Sequence, residues 1–319
     1  MAGWNEILEE HQRASAFHDV IRRKYLKELS ELTGRNTILY YSGWLQKPEM
    51  LQTNAMMFQI NDDDKNGFMA TVHQLDRSRG LDLILHTPGG DLAATESLVA
   101  YLRSMFGNDI RALVPQLALS AGTMMALSAS EIVLGKQSSL GPIDPQLNNL
   151  PAHGVVEEFN KARSEILANA QSALYWQPIL QKYNATFVGE CQKAIDWSRL
   201  MVTRWLETGM FQGDADQASK IARVLEDFGD HALTLSHSRH IDSKAARASG
   251  LKIVDLESAP DLQDAVLTVH HATIQTLAAT GAMKVIENQN GAAYIRVVSP
   301  ISLLSQNLNV GQQPGPAHP

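Results

Sequence analysis

The sequence predicts an α/β protein built on a parallel sheet, with a helix ahead of it and a helix and β-hairpin behind it. Three observations carry this. Strand-type and helix-type segments alternate with short connections between residues 81 and 134, and such alternation implies right-handed crossovers between parallel strands. The strand segments are short, mostly apolar runs, as expected where helices cover both sheet faces. Near the end, Asn290-Gly291 separates two strand-type runs, a hairpin signal because both turn residues tolerate positive φ. At 319 residues the chain exceeds the usual compact domain, so one large domain with appendages is expected.

Taken in order, Trp4, Ile7, Leu8, Phe17, Ile21, Tyr25 and Leu29 recur at near-helical spacing, which predicts an amphipathic helix over residues 4–32 packed on the body or on a partner subunit. Thr37–Ser42 is a β-branched and aromatic run of strand type. Polar loops lead to Asp62-Asp63-Asp64, and a helix is expected over Gly67–Leu75. Leu81–His86 reads as a buried strand ending at Thr87-Pro88-Gly89-Gly90, after which Asp91 caps a helix over Leu92–Met105. Ile110–Val114 is a second strand, Ser120–Ser128 a helix and Glu131–Leu134 a third strand.

Residues 154–206 read as wholly helical, followed by helices over 215–228 and 242–249, a strand over 253–256, a helix over 262–277 and the hairpin over 285–298. The expected organisation is an N-terminal helical arm (1–34), a central domain (35–258) with a helical excursion (154–206), a C-terminal helix and hairpin (259–300), and a disordered Gln-, Gly- and Pro-rich tail (301–319).

A net charge of −7 argues against a broad nucleic-acid surface. The one cysteine, Cys191, excludes an internal disulfide framework, fits a reducing compartment and reads as a buried or inert thiol. The N-terminus lacks the apolar core of a signal peptide, and no run approaches the roughly 18 apolar residues of a spanning helix. The expected location is the cytoplasm.

The chemistry concentrates between Leu83 and Gln146. Attack on a carbonyl generates an oxyanion, which preorganised backbone N–H groups stabilise. Gly89-Gly90 at a strand end suits that role, since glycine permits positive φ and close approach of a substrate. Ser120 opens a helix of small residues in Leu119-Ser-Ala-Gly-Thr, where Ala121 and Gly122 leave room around the hydroxyl. Alone, a Pro-Gly-Gly is a turn and a Ser-Ala-Gly an N-cap. Separated by one crossover, both fall on the same edge of the sheet, and acyl transfer at Ser120 becomes the better reading.

These stretches, His86-Thr-Pro-Gly-Gly, Ser120-Ala-Gly-Thr with Ala126-Leu-Ser-Ala-Ser-Glu-Ile-Val, and Leu140-Gly-Pro-Ile-Asp-Pro-Gln, resemble the Clp protease and crotonase superfold and, within it, the serine dehydrogenase proteinase family related to signal-peptide peptidase A. A weaker match runs from Leu235-Ser-His-Ser-Arg-His-Ile to Ala245-Ala-Arg-Ala-Ser-Gly-Leu. The resemblance spans roughly residues 35–258. It implies a ββα superhelix, Ser120 as nucleophile, and an oxyanion hole of Gly89 or Gly90 with Ala121. No Gly-x-Gly-x-x-Gly fingerprint accompanies the dehydrogenase name, and no cofactor is expected.

The base is not given by the motifs. Clp peptidases carry a histidine in the segment that reads Gly141-Pro-Ile-Asp-Pro-Gln here, where Asp144 stands instead. Relatives of signal-peptide peptidase A use a lysine, which must be desolvated to act. The candidates are Lys136, Lys161, Lys182 and Lys193. The resemblance favours Lys193, while Lys161 reads as a solvated ion pair. His237 is the rival, in a rearranged triad with Ser120 and Asp144. His86 reads as a packed strand-end residue, and the histidines near 237 lack the spacing and carboxylates of a metal site.

The expected function is an intracellular serine peptidase acting on peptides or proteins. The resemblance implies a homo-oligomer, and the lack of a Gly-x-x-x-x-Gly-Lys-Ser/Thr motif assigns any unfolding power to a separate ATPase partner. The alternatives are a crotonase-type acyl-CoA enzyme, which uses the oxyanion turn without a serine nucleophile, and a non-catalytic Clp-like scaffold.

Overall fold

A computed structural model describes residues 18–148, 150–229 and 239–297. The first part of the expected N-terminal helix, His237 with its flanking residues, and the expected tail lie outside the described residues.

The elements are α1 (His18–Thr33), β1 (Asn36–Ser42), α2 (Pro48–Phe58), α3 (Asp64–Val72), β2 (Leu81–His86), α4 (Leu92–Phe106), β3 (Ile110–Val114), β4 (Leu117–Ala118), α5 (Ala121–Leu127), β5 (Glu131–Leu134), β6 (Ser139–Leu140), β7 (Gln146–Leu147), β8 (Leu150–Pro151), α6 (Ala152–Ala168), α7 (Ala173–Leu180), α8 (Phe187–Thr208), α9 (Gln217–Gly229), α10 (Ser243–Ala248), β9 (Ile253–Asp255), α11 (Pro260–Ala279), β10 (Ala282–Asn288) and β11 (Ala293–Val297). The fold is mixed α/β. Its seven-stranded sheet has the order β11-β10-β1-β2-β3-β5-β9. The five strands from β1 to β9 run parallel, and the hairpin β10–β11 joins the β1 edge antiparallel.

Both faces of the sheet are covered, which explains why the central strands are apolar throughout. Successive side chains alternate across a strand. Leu81, Leu83 and Leu85 of β2 therefore join the large cluster with α4, α5, α8 and α9, while Ile84 joins the opposite cluster with α1 and α11. Asp82, fully buried, is bracketed by Arg35 at 2.8 Å and Arg111 at 2.8 Å. Glu287 of β10 ties the hairpin to α1 through Arg22 and Arg23, each at 2.5 Å.

Two departures from the sequence reading stand out. The expected loops after β1 contain α2, started by Pro48 and kinked at Asn54, whose φ/ψ of −135°/30° breaks the helical pattern. The expected unbroken helix over 154–206 is divided into α6, α7 and α8. The first break falls at Asn169, whose side chain accepts the Gln171 N–H instead of continuing the helix. The antiparallel hairpin closes at Gly291, with φ of +83°.

Candidate active site

Two strand ends on one sheet edge build the site. β2 runs into Thr87-Pro88-Gly89-Gly90, and β3 continues through β4 to Ser120. The segments are stitched together by backbone bonds: Thr87 N–H donates to the Leu117 carbonyl at 3.1 Å, and Leu119 N–H to the Thr87 carbonyl at 3.0 Å. Asp91 caps α4 by accepting the Ala94 N–H at 2.8 Å.

On its other side the glycine turn pairs with Ile60. Ile60 N–H donates to the Gly89 carbonyl at 2.8 Å and the Ile60 carbonyl accepts the Asp91 N–H at 2.9 Å. In such a parallel bridge the N–H of the intervening residue, Gly90, is directed away from Ile60. It has no acceptor among the described residues, and neither does the N–H of Ala121, an unpaired donor at the start of α5. Gly89 has φ of +96°, and its α-carbon packs so tightly on Ser120 that a β-carbon there would lie 2.7 Å from the Ser120 Cβ.

Ser120 has φ of +52° and ψ of −120°, an uncommon conformation for a residue with a side chain. It precedes α5 but its hydroxyl makes no capping bond. The ordinary use of a serine at a helix start is thus not realised. Ser120 is half-buried and lines a cavity of about 450 Å³. Pro88, Gly90 and Met124 line it near the serine, with Ile143, Leu147 and Trp197 among the surrounding residues. Such a chamber, about equally polar and apolar, with Asp91 and amides from Gln59, Asn61, Gln146 and Asn148 in its wall, can hold a side chain of an extended peptide while donors meet its carbonyl.

The other predicted residues are placed as follows. Lys193 sits on α8 beside Ala194 and one turn before Trp197, both of which line the cavity, and its own side chain is exposed. Asp144 is buried between cavity-lining Ile143 and Pro145, and its Oδ1 accepts the His153 N–H at 3.5 Å near the start of α6. Lys136, Lys161 and Lys182 are exposed and do not line the cavity, and Lys161 lies over the Trp176 ring. His86 is fully buried against Trp44 and Tyr41. Burial and then the neighbouring His270 drive its imidazole well below the usual histidine range. Cys191 is buried, and burial pushes its thiol up. No group of three or more His, Cys, Asp or Glu side chains able to hold a metal occurs among the described residues.

Residues 20–240 match the family of ClpP-like SDH-type serine proteinases. The chain belongs to that family. Two proteins of Methanocaldococcus jannaschii are similar to this chain: the uncharacterized protein MJ0137 is 34% identical over 98 residues, 31% of this chain and 34% of that protein. The uncharacterized protein MJ1495 is 29% identical over 107 residues, 34% of this chain and 36% of its own length. The chain thus spans about a third of the length of these relatives. Among the described residues, no helix is long and apolar enough to cross a membrane.

Sequence reasoning missed Ile60, Trp197 and Met56 as parts of the cavity wall. Ile60 acts through its backbone, which leaves no side-chain pattern to read. Trp197 did carry a signal, since it stands four residues after Lys193 on the same helical stripe.

Proposed function

We propose that the protein is a serine peptidase that cleaves peptides or unfolded protein segments through an acyl-enzyme on Ser120. The observation that carries this reading is the pairing of an uncapped, positive-φ serine with two unpaired N–H groups, those of Gly90 and Ala121, where Ser120 and Gly90 both line one cavity. In the proposed reaction the Ser120 Oγ adds to the scissile carbonyl while a base takes its proton. The oxyanion accepts hydrogen bonds from Gly90 and Ala121, the amine leaves with the proton, and water repeats the addition to release the acyl group.

Lys193 is the base in this reading, with His237 as its rival. Lys193 neighbours Ala194 and Trp197, which line the cavity, without lining it itself, and an amine serves as base only when shielded from water. We infer that bound peptide, or a neighbouring subunit of a homo-oligomer, covers it. Asp144 then braces the loop carrying Ile143 and Pro145 against α6. Family membership favours the peptidase over the acyl-CoA alternative, and substrates folded too tightly to enter would need a separate ATPase.

The test is proteolysis of an unfolded protein such as reduced casein by wild type, Ser120→Ala, Lys193→Ala and His237→Ala, with cleavage sites read by mass spectrometry. Cleavage abolished in Ser120→Ala and in one of the two base variants supports the reading. Equal cleavage by Ser120→Ala and wild type overturns it.

A further inference from the structure

The C-terminal hairpin delivers a buried cation close behind the glycine turn. Lys284 of β10 is fully enclosed, and its ammonium donates to both carboxylate oxygens of Asp64, at 2.7 and 2.8 Å, and to the Gln59 carbonyl at 2.7 Å. Asp64, equally enclosed, also accepts the Tyr40 hydroxyl at 2.7 Å and the Asn61 N–H at 3.0 Å. A buried ion pair is a poor source of net stability, because desolvating two charges offsets much of their attraction. Burial lowers the Lys284 amine, with Asp64 opposing the shift.

What this pair grips is the backbone on either side of Ile60. Gln59 is held by Lys284 and Asn61 by Asp64, and Ile60 between them makes both bonds to the glycine turn, to the Gly89 carbonyl and from the Asp91 N–H. A second arm runs through Tyr40. Its hydroxyl, bonded to Asp64, lies beside the Thr87 side chain, whose Oγ1 accepts the Gly89 N–H at 3.2 Å. With Gly89 N–H, Gly89 carbonyl and Asp91 N–H all engaged, the Gly90 N–H is the donor left facing away. Lys284 lies beyond the stretch matched to the family, residues 20–240.

We propose that the Asp64–Lys284 pair is a positioning device for the Gly89-Gly90 turn, so that a hairpin from the far end of the chain fixes the direction of the Gly90 N–H. The proposal rests on the reading of Gly90 as an oxyanion donor. Neither Lys284 nor Asp64 touches reacting atoms; both act through Ile60 and Thr87.

The test compares Lys284→Met, Asp64→Asn and Tyr40→Phe with Val266→Ala, a core truncation on the opposite sheet face. Two readouts are taken on the full chain: amide hydrogen exchange of the peptide covering residues 87–92, and the rate of Ser120 labelling by a fluorophosphonate. Exchange in that peptide should rise about 10-fold in Lys284→Met and Asp64→Asn, and remain at the wild-type level in Val266→Ala. Labelling should fall about 10-fold or more in the first two variants, with the peptidase defect in kcat rather than KM. Unchanged exchange in the 87–92 peptide, or equal acceleration by Val266→Ala, overturns the proposal. If Lys284→Met does not fold, Tyr40→Phe, which deletes one hydroxyl, decides by the same two readouts. Faster exchange in a protein whose wild type shows no labelling supports the positioning role and locates the failure in the acyl-transfer reading.

Discussion

The α-carbon of Gly89 rests directly on Ser120: a β-carbon added there would come within 2.7 Å of the Ser120 Cβ and 3.0 Å of the Ala121 nitrogen. The serine and the glycine turn are therefore one packed unit, and a side chain added at Gly89 cannot be accommodated without moving Ser120. Gly89→Ala adds both this clash and the strain of a side chain at φ of +96°. It should lower the rate of Ser120 acylation by about 10²-fold, the cost of losing one oxyanion donor. Stopped-flow or gel-based labelling kinetics would check this, and a wild-type rate would contradict it.

Lys193 offers a cleaner separation of chemistry from stability. Its side chain is exposed, so Lys193→Ala should change unfolding free energy by less than about 0.5 kcal/mol. Peptidase activity should nonetheless fall by about 10² or more if it is the base. Denaturant unfolding and casein hydrolysis on the same preparation give both numbers; undiminished hydrolysis transfers the role to His237.

The strand ends and the position of Ser120 ahead of a helix were legible because local residues determine them. β2, β3 and β5 end where the sequence reading ends them, since each is an apolar run bounded by Gly, Asp, Asn, Ser or Pro. The Asp91 cap formed as read. The supports of the site were not legible, because they are made by distance in sequence. Asp64 and Lys284 are 220 residues apart, and in isolation one reads as an acidic loop and the other as a residue just ahead of the hairpin run. The Ile60 clamp is backbone alone. α2 is hard to read because its kink at Asn54 interrupts the helical period, and the excursion over 154–206 reads as continuous because nothing local marks Asn169 as a cap rather than a helical residue.

A second face of the sheet makes the fold sensitive to acid. His86 and His270 are buried together, rings 5.5 Å apart, with Tyr41 and Trp44 against His86 and with Tyr41 and His271 against His270. Burial, first among the causes, holds His270 at about 3 and His86 well below its usual value. In the unfolded chain both titrate near 6.5. Above that pH neither state is protonated and the stability is full. As pH falls through 6.5 the unfolded chain gains protons that the folded one refuses, so stability declines. His270 should cost about 2 kcal/mol by pH 5, and His86 adds to the loss in the same direction. Urea unfolding at pH 7.5 and pH 5.0 measures the loss, and His86→Phe should make it smaller. An equal pH dependence in His86→Phe would show that His86 does not contribute.

The central claim is that Ser120 is a nucleophile served by the Gly89-Gly90 turn. The most direct measurement is intact-mass and peptide mapping after reaction with a fluorophosphonate. One adduct per chain is expected, on the peptide containing Ser120, absent from Ser120→Ala and strongly reduced in Gly89→Ala. An adduct that persists in Ser120→Ala, or a wild-type protein that stays unlabelled across the pH range in which it is folded, would contradict it.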